Sequence, residues 1–209
     1  MRRVVMGVLL ILVLSSCVHA VPYPYGDYNL PATGDLEAIY DESRLAYTVI
    51  ASAEEEYYPW TIVSMALMQA PAVVDARINM RAEFQFWTEA EKAQERKEQF
   101  ELVIDDSIVF NLSLTSDPKV SRGYRYVDVE DRDSQIDRIM LETNDGKRYL
   151  SEFAISFEPE LVNDMWFCEN LVVFPRYDNG AEIIGKETEW IKIWVIAGMN
   201  RIYFHFDFD

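Results

Sequence analysis

From residue 100 to the end, apolar side chains fall at every second position over short runs, and each run stops at residues that turn a backbone. Successive side chains of a strand point to opposite faces, so a period of two marks a strand with one buried face and one wet one. The last run is the clearest: Ile202, Phe204, Phe206 and Phe208 alternate with Arg201, Tyr203, His205 and Asp207. It forms a hairpin with 189–196 through Ala197-Gly198-Met199-Asn200. Residues 136–143 and 147–157 flank Asn144-Asp145-Gly146, a hairpin signal because these residues accept positive φ. Residues 166–174 are almost continuously apolar and end at Pro175, which predicts a strand covered on both faces. Asp178-Asn179-Gly180 makes another turn.

Upstream, Phe100, Leu102, Ile104, Ile108, Phe110, Leu112 and Leu114 share one phase, with Asp106 among them. A lone carboxylate in a core costs several kcal/mol unless it is paired or neutral. A turn at Asp105-Asp106-Ser107, which lets the acids reach water, is the preferred reading. Residues 76–87 alternate too, with Ala76, Ile78, Met80, Ala82, Phe84 and Phe86 set against Arg77, Asn79, Arg81, Glu83 and Gln85. That pattern predicts a half-buried strand, and the charged stretch 88–98 then reads as a solvated loop or short helix. At least seven short strands joined by hairpin-like turns predict a mainly β fold, an antiparallel β-sandwich or barrel-like sheet. No glycine-rich turn joins strand to helix, which argues against a nucleotide-binding parallel sheet.

Residues 35–56 carry Leu36, Ile39, Tyr40, Tyr47 and Ile50 at mixed three- and four-residue spacing, with Asp35 placed as a cap. A helix is favoured, and Arg44–Ser52 suits a strand as well. Residues 60–74 are apolar throughout and read as buried in either form. The expected organisation is a helical or mixed segment over 34–75, packed against an antiparallel β domain over 76–209.

The amino terminus is of another kind. Arg2 and Arg3 precede an uncharged run from Val4 to Leu14, 11 residues long, well short of the roughly 20 that a helix needs to cross a bilayer. This is the layout of a secretory signal. Leu14-Ser15-Ser16-Cys17 follows, an aliphatic residue, two small ones and a thiol. It resembles the lipobox of bacterial lipoproteins, over about the first 20 residues of the chain. The resemblance implies cleavage before Cys17, removal of 1–16, and fatty acyl chains of the palmitate type carried on Cys17. It names a route to the membrane, not a fold. Val18 stands where an aspartate would favour the inner membrane of two-membrane bacteria, so the resemblance points to the outer membrane. Val18-His19-Ala20 offers a second cleavage site, after Ala20. Residues 17–33 hold Pro22, Pro24 and Pro31 among Tyr23, Tyr25 and Tyr28. They read as a semi-rigid tether whose tyrosines have two places to lie, on the domain or near lipid headgroups.

Charge limits the partners. The chain of 209 residues carries 19 Lys and Arg against 36 Asp and Glu, a formal charge of -17. Loss of 1–16 removes two arginines and no acid, which makes the mature body more acidic still. Such a surface repels phosphate backbones and excludes sequence-independent nucleic-acid binding. The expected partners are a membrane, through the lipid, and an envelope protein or glycan. Of the two cysteines lipidation consumes one, leaving Cys168 without a partner in its own chain.

Catalytic signatures are missing from the sequence: no nucleophile elbow, phosphate-cradling loop, paired Cys-x-x-Cys or His-Glu-x-x-His. No catalytic residue, metal ligand or cofactor is assigned. Ser116-Asp117-Pro118-Lys119 fits Ser-x-x-Lys without its companion motifs, and chance explains it. Asp128, Glu130, Asp131, Asp133 and Ser134 space oxygens as calcium sites do, but Arg132 intrudes and the central glycine is missing. A solvated acidic loop is preferred there. His205 lies between Tyr203 and Asp207 on the polar face of the last strand, where a base oriented by a carboxylate is conceivable. Cys168 offers a nucleophile, with His205 as its base, but within Trp166-Phe167-Cys168 the preferred reading is a small buried hydrophobe. Trp190 and Trp194 flank Lys192 on one strand face, a ladder of rings able to stack on sugars or anchor a partner unless helices cover it. The preferred function is a lipid-anchored binding or structural module of the cell envelope. The alternative is a carboxylate-based hydrolase of an envelope polymer, since acid/base pairs need no sequence signature.

Overall fold

A computed structural model describes residues 20–31, 34–53, 64–116, 136–198 and 200–209. Cys17 and its lipobox, the acidic run 128–134 and Lys119 lie outside the described residues. In chain order the elements are α1 (Leu36–Ala46), β1 (Thr48–Ala53), β2 (Met65–Met68), α2 (Pro71–Gln85), α3 (Glu89–Val103), β3 (Ser107–Ser116), β4 (Arg138–Thr143) and β5 (Arg148–Leu150). There follow β6 (Phe153–Ser156), β7 (Glu160–Val162), β8 (Met165–Pro175), β9 (Tyr177–Asp178), β10 (Ala181–Glu182), β11 (Trp190–Ala197) and β12 (Asn200–Asp207).

The fold is mainly β, and its large sheet is antiparallel throughout, in the order β5-β4-β11-β12-β1-β2-β3-β8-β6 with β7 also on β8. The sheet curls into a barrel-like form. Its two ends meet through one stretch of chain, because β5 pairs with β4 and β6, three residues on, pairs with β8. Between them Ser151 N–H donates to Ile139 C=O (3.1 Å) and Glu152 N–H to Val173 C=O (2.9 Å). The concave side is packed with the in-phase residues of the sequence pattern. Ile108, Phe110, Leu112 and Leu114 of β3 and Ile202, Phe204 and Phe206 of β12 are all buried. Phe110 meets Phe174 of the adjacent strand β8 at 6.0 Å and Phe206 of β12, which is not its neighbour in the sheet, at 5.4 Å between ring centres.

The hairpins fall where turn chemistry places them. Gly146 (φ 80°) closes β4–β5 and Gly198 (φ 59°) closes β11–β12, both in the left-handed region that favours glycine. The preferred turn at Asp105-Asp106 is also present, with both acids exposed ahead of β3.

Residues 76–87 are not a strand. They belong to α2, which starts with Pro71 at its first turn and buries Val74, Ile78 and Ala82 at four-residue spacing. The run is rich in Ala, Arg, Glu and Gln and has one β-branched residue, so backbone preference opposes a strand. A third of the apparent alternation came from side chains outside the core: Phe84 and Phe86 are 84% and 92% exposed. The stretch 88–98 is likewise no loop but the start of α3, a full 15-residue helix opened by a capping box. There Glu91 N–H donates to Thr88 Oγ1 (3.3 Å) and Thr88 N–H to the Glu91 carboxylate (2.7 Å). Phe100 and Leu102 therefore lie on a helix, and the strand begins only at Ser107.

The segment before residue 76 does more than pack against the sheet. It supplies α1, capped by Asp35, and then β1 and β2, which sit between β12 and β3. Arg44–Ser52 is split, helix to Ala46 and strand from Thr48. The strand β8 is not covered on both faces either. Cys168, Asn170, Val172 and Phe174 point inward and are buried, while Phe167, Leu171 and Val173 on the outer face are only half-buried.

Candidate functional site

Two outer surfaces of the barrel hold the chemistry. The first gathers both residue sets singled out in the sequence. In the β11–β12 ladder Trp190 stands opposite Asp207, Lys192 opposite His205 and Trp194 opposite Tyr203, so the six side chains share one face. Most of them find partners on this face. Trp194 Nε1–H donates to Glu142 Oε2 at 2.6 Å, and Glu142 also pairs with Arg148 (3.3 Å). The Lys192 ammonium lies 5.1 Å from the Trp190 ring centre and 5.0 Å from that of Tyr203, within cation–π range of both. His205 meets Trp190 edge to face at 5.4 Å.

His205 Nε2 is 3.1 Å from Asp207 Oδ1 but off the hydrogen-bonding direction, and no hydrogen-bond partner for this buried nitrogen is found among the described residues. Burial pushes the imidazole below its ordinary range, Asp207 opposes that shift and Lys192 reinforces it. The two indoles do not make a ladder of open rings, because Trp194 is 9% exposed while Trp190 is half-buried. Cys168 is fully buried on the inner face of β8 and donates its S–H to Phe157 C=O (3.3 Å). It faces the opposite side of the sheet from His205, and the two do not form a nucleophile–base pair.

The second surface was not legible in the sequence. Helices α2 and α3 cover only part of the outer face of β3, β8 and β6, and a groove of about 810 Å³ remains between α3 and those strands. Leu102 and Val103 of α3 form one wall; Val109, Leu171 and Val173 form the floor; Phe153, Phe157 and Phe167 complete the far side. This size and apolar character are those of ligand and peptide sites. Several of these side chains stand in water, with Leu102 71%, Phe153 53% and Phe157 56% exposed.

The polar groups of the groove are separated along its length. Arg77 lies by Val109, where its guanidinium donates to Gln69 Oε1 (3.4 Å) and Gln99 Oε1 (3.0 Å); no carboxylate among the described residues pairs with it. Glu158, Glu160 and Glu169 line the other end, beyond Asn111, and Glu169 accepts from Ser113 Oγ at 2.8 Å. Glu158 and Glu160 are exposed. Among the described residues no three His, Cys, Asp or Glu side chains gather to hold a metal ion.

A third region concerns the tether. Residues 20–31 do not stand away from the domain. Val21 is fully buried, donates its N–H to Asp207 C=O (2.6 Å) and accepts from Asp209 N–H (3.1 Å). The Arg176 guanidinium stacks on the Tyr25 ring at 3.9 Å. Tyr28 donates its hydroxyl to Asp75, and Arg96 clasps the same carboxylate with bonds of 2.7 and 2.8 Å. Burial and this carboxylate raise the Tyr28 hydroxyl to about 12. Tyr23 donates its hydroxyl to Ile184 C=O (3.3 Å), so of the two places open to the tyrosines, all three occupy the domain.

Fold and surfaces together define a class: an acidic, barrel-like antiparallel β protein with a strapped amino-terminal segment and an open apolar groove. No protein-family model matches the chain, and no curated protein matches it. It is similar to a solved structure from Burkholderia pseudomallei K96243, described as a novel protein of unknown function, at 15% identity over 82% of this chain and 83% of that one, with a TM-score of 0.43.

Proposed function

We propose that this protein is a lipid-anchored binding module of a bacterial cell envelope, tied to the outer membrane through Cys17, and that it meets its partner in the groove beside α3. The observation that carries the binding role is the exposure of Leu102, Phe153 and Phe157 around one concave apolar floor. Large apolar side chains left together in water mark interaction sites.

The partner's chemistry follows from the polarity of the groove. An apolar protein segment suits the floor, with an acidic residue placed for Arg77 and a basic one for the glutamates at the other end. Charge at the two ends selects the direction in which such a segment lies. The lipid anchor rests on the signal and the lipobox alone.

The test is a photoreactive benzophenone side chain in place of Phe157, in cells that process the full precursor. A discrete protein adduct, mapping to an apolar segment flanked by an acid and a base and lost in Arg77→Glu, is expected. Adducts on lipid alone, or the same adducts in Arg77→Glu, would overturn the reading.

A further inference from the structure

The strap and the anchor lie too close together in sequence to act independently. Val21 is locked between Asp207 and Asp209 at the end of β12, and beyond it Pro24 is buried and Tyr25 is pinned under Arg176. Arg176 is itself fixed, donating to Ile104 C=O (2.7 Å) and to Glu182 (2.9 Å). Only three residues separate Cys17 from Val21. At roughly 3.3–3.6 Å per residue, that chain reaches about 14 Å at full stretch.

We infer that the docked strap makes the lipid anchor a short leash, which holds the open end of the β11–β12 hairpin, with Trp190 and Asp207, against the bilayer surface. The hairpin's closed end at Gly198 then points away, since Trp190 and Ala197 are seven residues apart along β11, about 23 Å. The surface held at the membrane carries Asp207, Asp209 and Glu189. It fits headgroups that present an ammonium, such as ethanolamine, and disfavours anionic ones, because the leash leaves it little more than a Debye length in which to withdraw.

This inference rests on acylation of Cys17, and the experiment separates the two. The mature full-length protein is placed in vesicles of phosphatidylethanolamine and phosphatidylcholine that contain a headgroup-quencher lipid. A fluorophore is carried at Glu189→Cys in one sample and at Arg201→Cys in another, with Cys168 shielded in the barrel. Intact mass comes first: a product beginning at Val21 without acyl groups overturns both anchor and leash. With an acylated Cys17, quenching is expected to be several-fold stronger at 189 than at 201. A linker of about 12 Gly and Ser residues inserted between His19 and Ala20, adding about 20 Å of reach, is expected to abolish that difference. Equal quenching at the two positions without the linker, or a difference that survives it, would overturn the leash and leave the anchor standing.

Discussion

The outer side of one curled sheet behaves in two ways. Over β4, β11 and β12 the large side chains have found neighbours: Trp194 has Glu142, Lys192 has two rings, and His205 packs on Trp190 beside Asp207, with only its Nε2 left without a hydrogen bond among the described residues. Over β3, β8 and β6 Val109, Leu171 and Val173 make an apolar floor between polar ends, and Phe153 and Phe157 face water. A polar and aromatic surface that satisfies itself gains little from a partner, whereas an apolar one left open gains from being covered. The richer chemistry is thus on the self-contained face, and the need for a partner is on the plainer one.

Substitutions can break or sharpen this contrast. The largest effect belongs to neither outer face: Phe110→Ala in the barrel interior should cost about 3–5 kcal/mol in denaturant unfolding, because it opens a cavity where three aromatic rings meet. On the self-contained face, Trp194→Phe should cost about 1–2 kcal/mol, since Glu142 loses its indole donor while keeping Arg148. Tyr28→Phe should cost about 1 kcal/mol, by freeing one of the clasps that hold the strap. On the groove, Phe157→Ser should stay within about 0.5 kcal/mol of the parent, and lower binding of a hydrophobic dye. Loss of several kcal/mol there would mean that the groove is core after all.

The smallest effect is one of pH. The folded state holds His205 below the 6.5 of a free imidazole, so below that value the unfolded chain binds the extra proton more readily. Stability from this group is full above pH 6.5 and is lost as pH falls through the folded value. Melting temperatures between pH 7.5 and 5.5 should decline less steeply in His205→Gln than in the parent; an unchanged slope would remove His205 from the account.

The parts of the fold that could be read from the sequence are those written locally. The β11–β12 hairpin, the Asn144-Asp145-Gly146 turn and the inward phase of β3 each depend on residues a few positions apart. The helices α2 and α3 were hidden by a chance alternation, to which the exposed Phe84 and Phe86 contributed, although Pro71 and the pair Thr88 and Glu91 carried the start signals. That error concealed the groove, because Arg77 and Leu102 take their places only once both stretches are helical. The remaining walls come from β3, β6 and β8, whose meeting is set by sheet order rather than by any local pattern. The clustering of Trp190, Lys192 and Trp194 with Tyr203, His205 and Asp207 was implicit in the hairpin register, whereas the pairing of Trp194 with Glu142 depends on β4 lying beside β11.

The most direct test of the division between the two faces compares two double variants in the same cells, each measured for melting temperature and for adduct formation by a photoreactive side chain placed at Leu171 on the groove floor. Phe153→Ser with Phe157→Ser should melt like the parent and lose the adduct. Trp190→Ser with Tyr203→Ser should melt lower and keep it. If the groove pair loses stability while the adduct persists, and the β11–β12 pair does the reverse, the roles assigned to the two faces are contradicted.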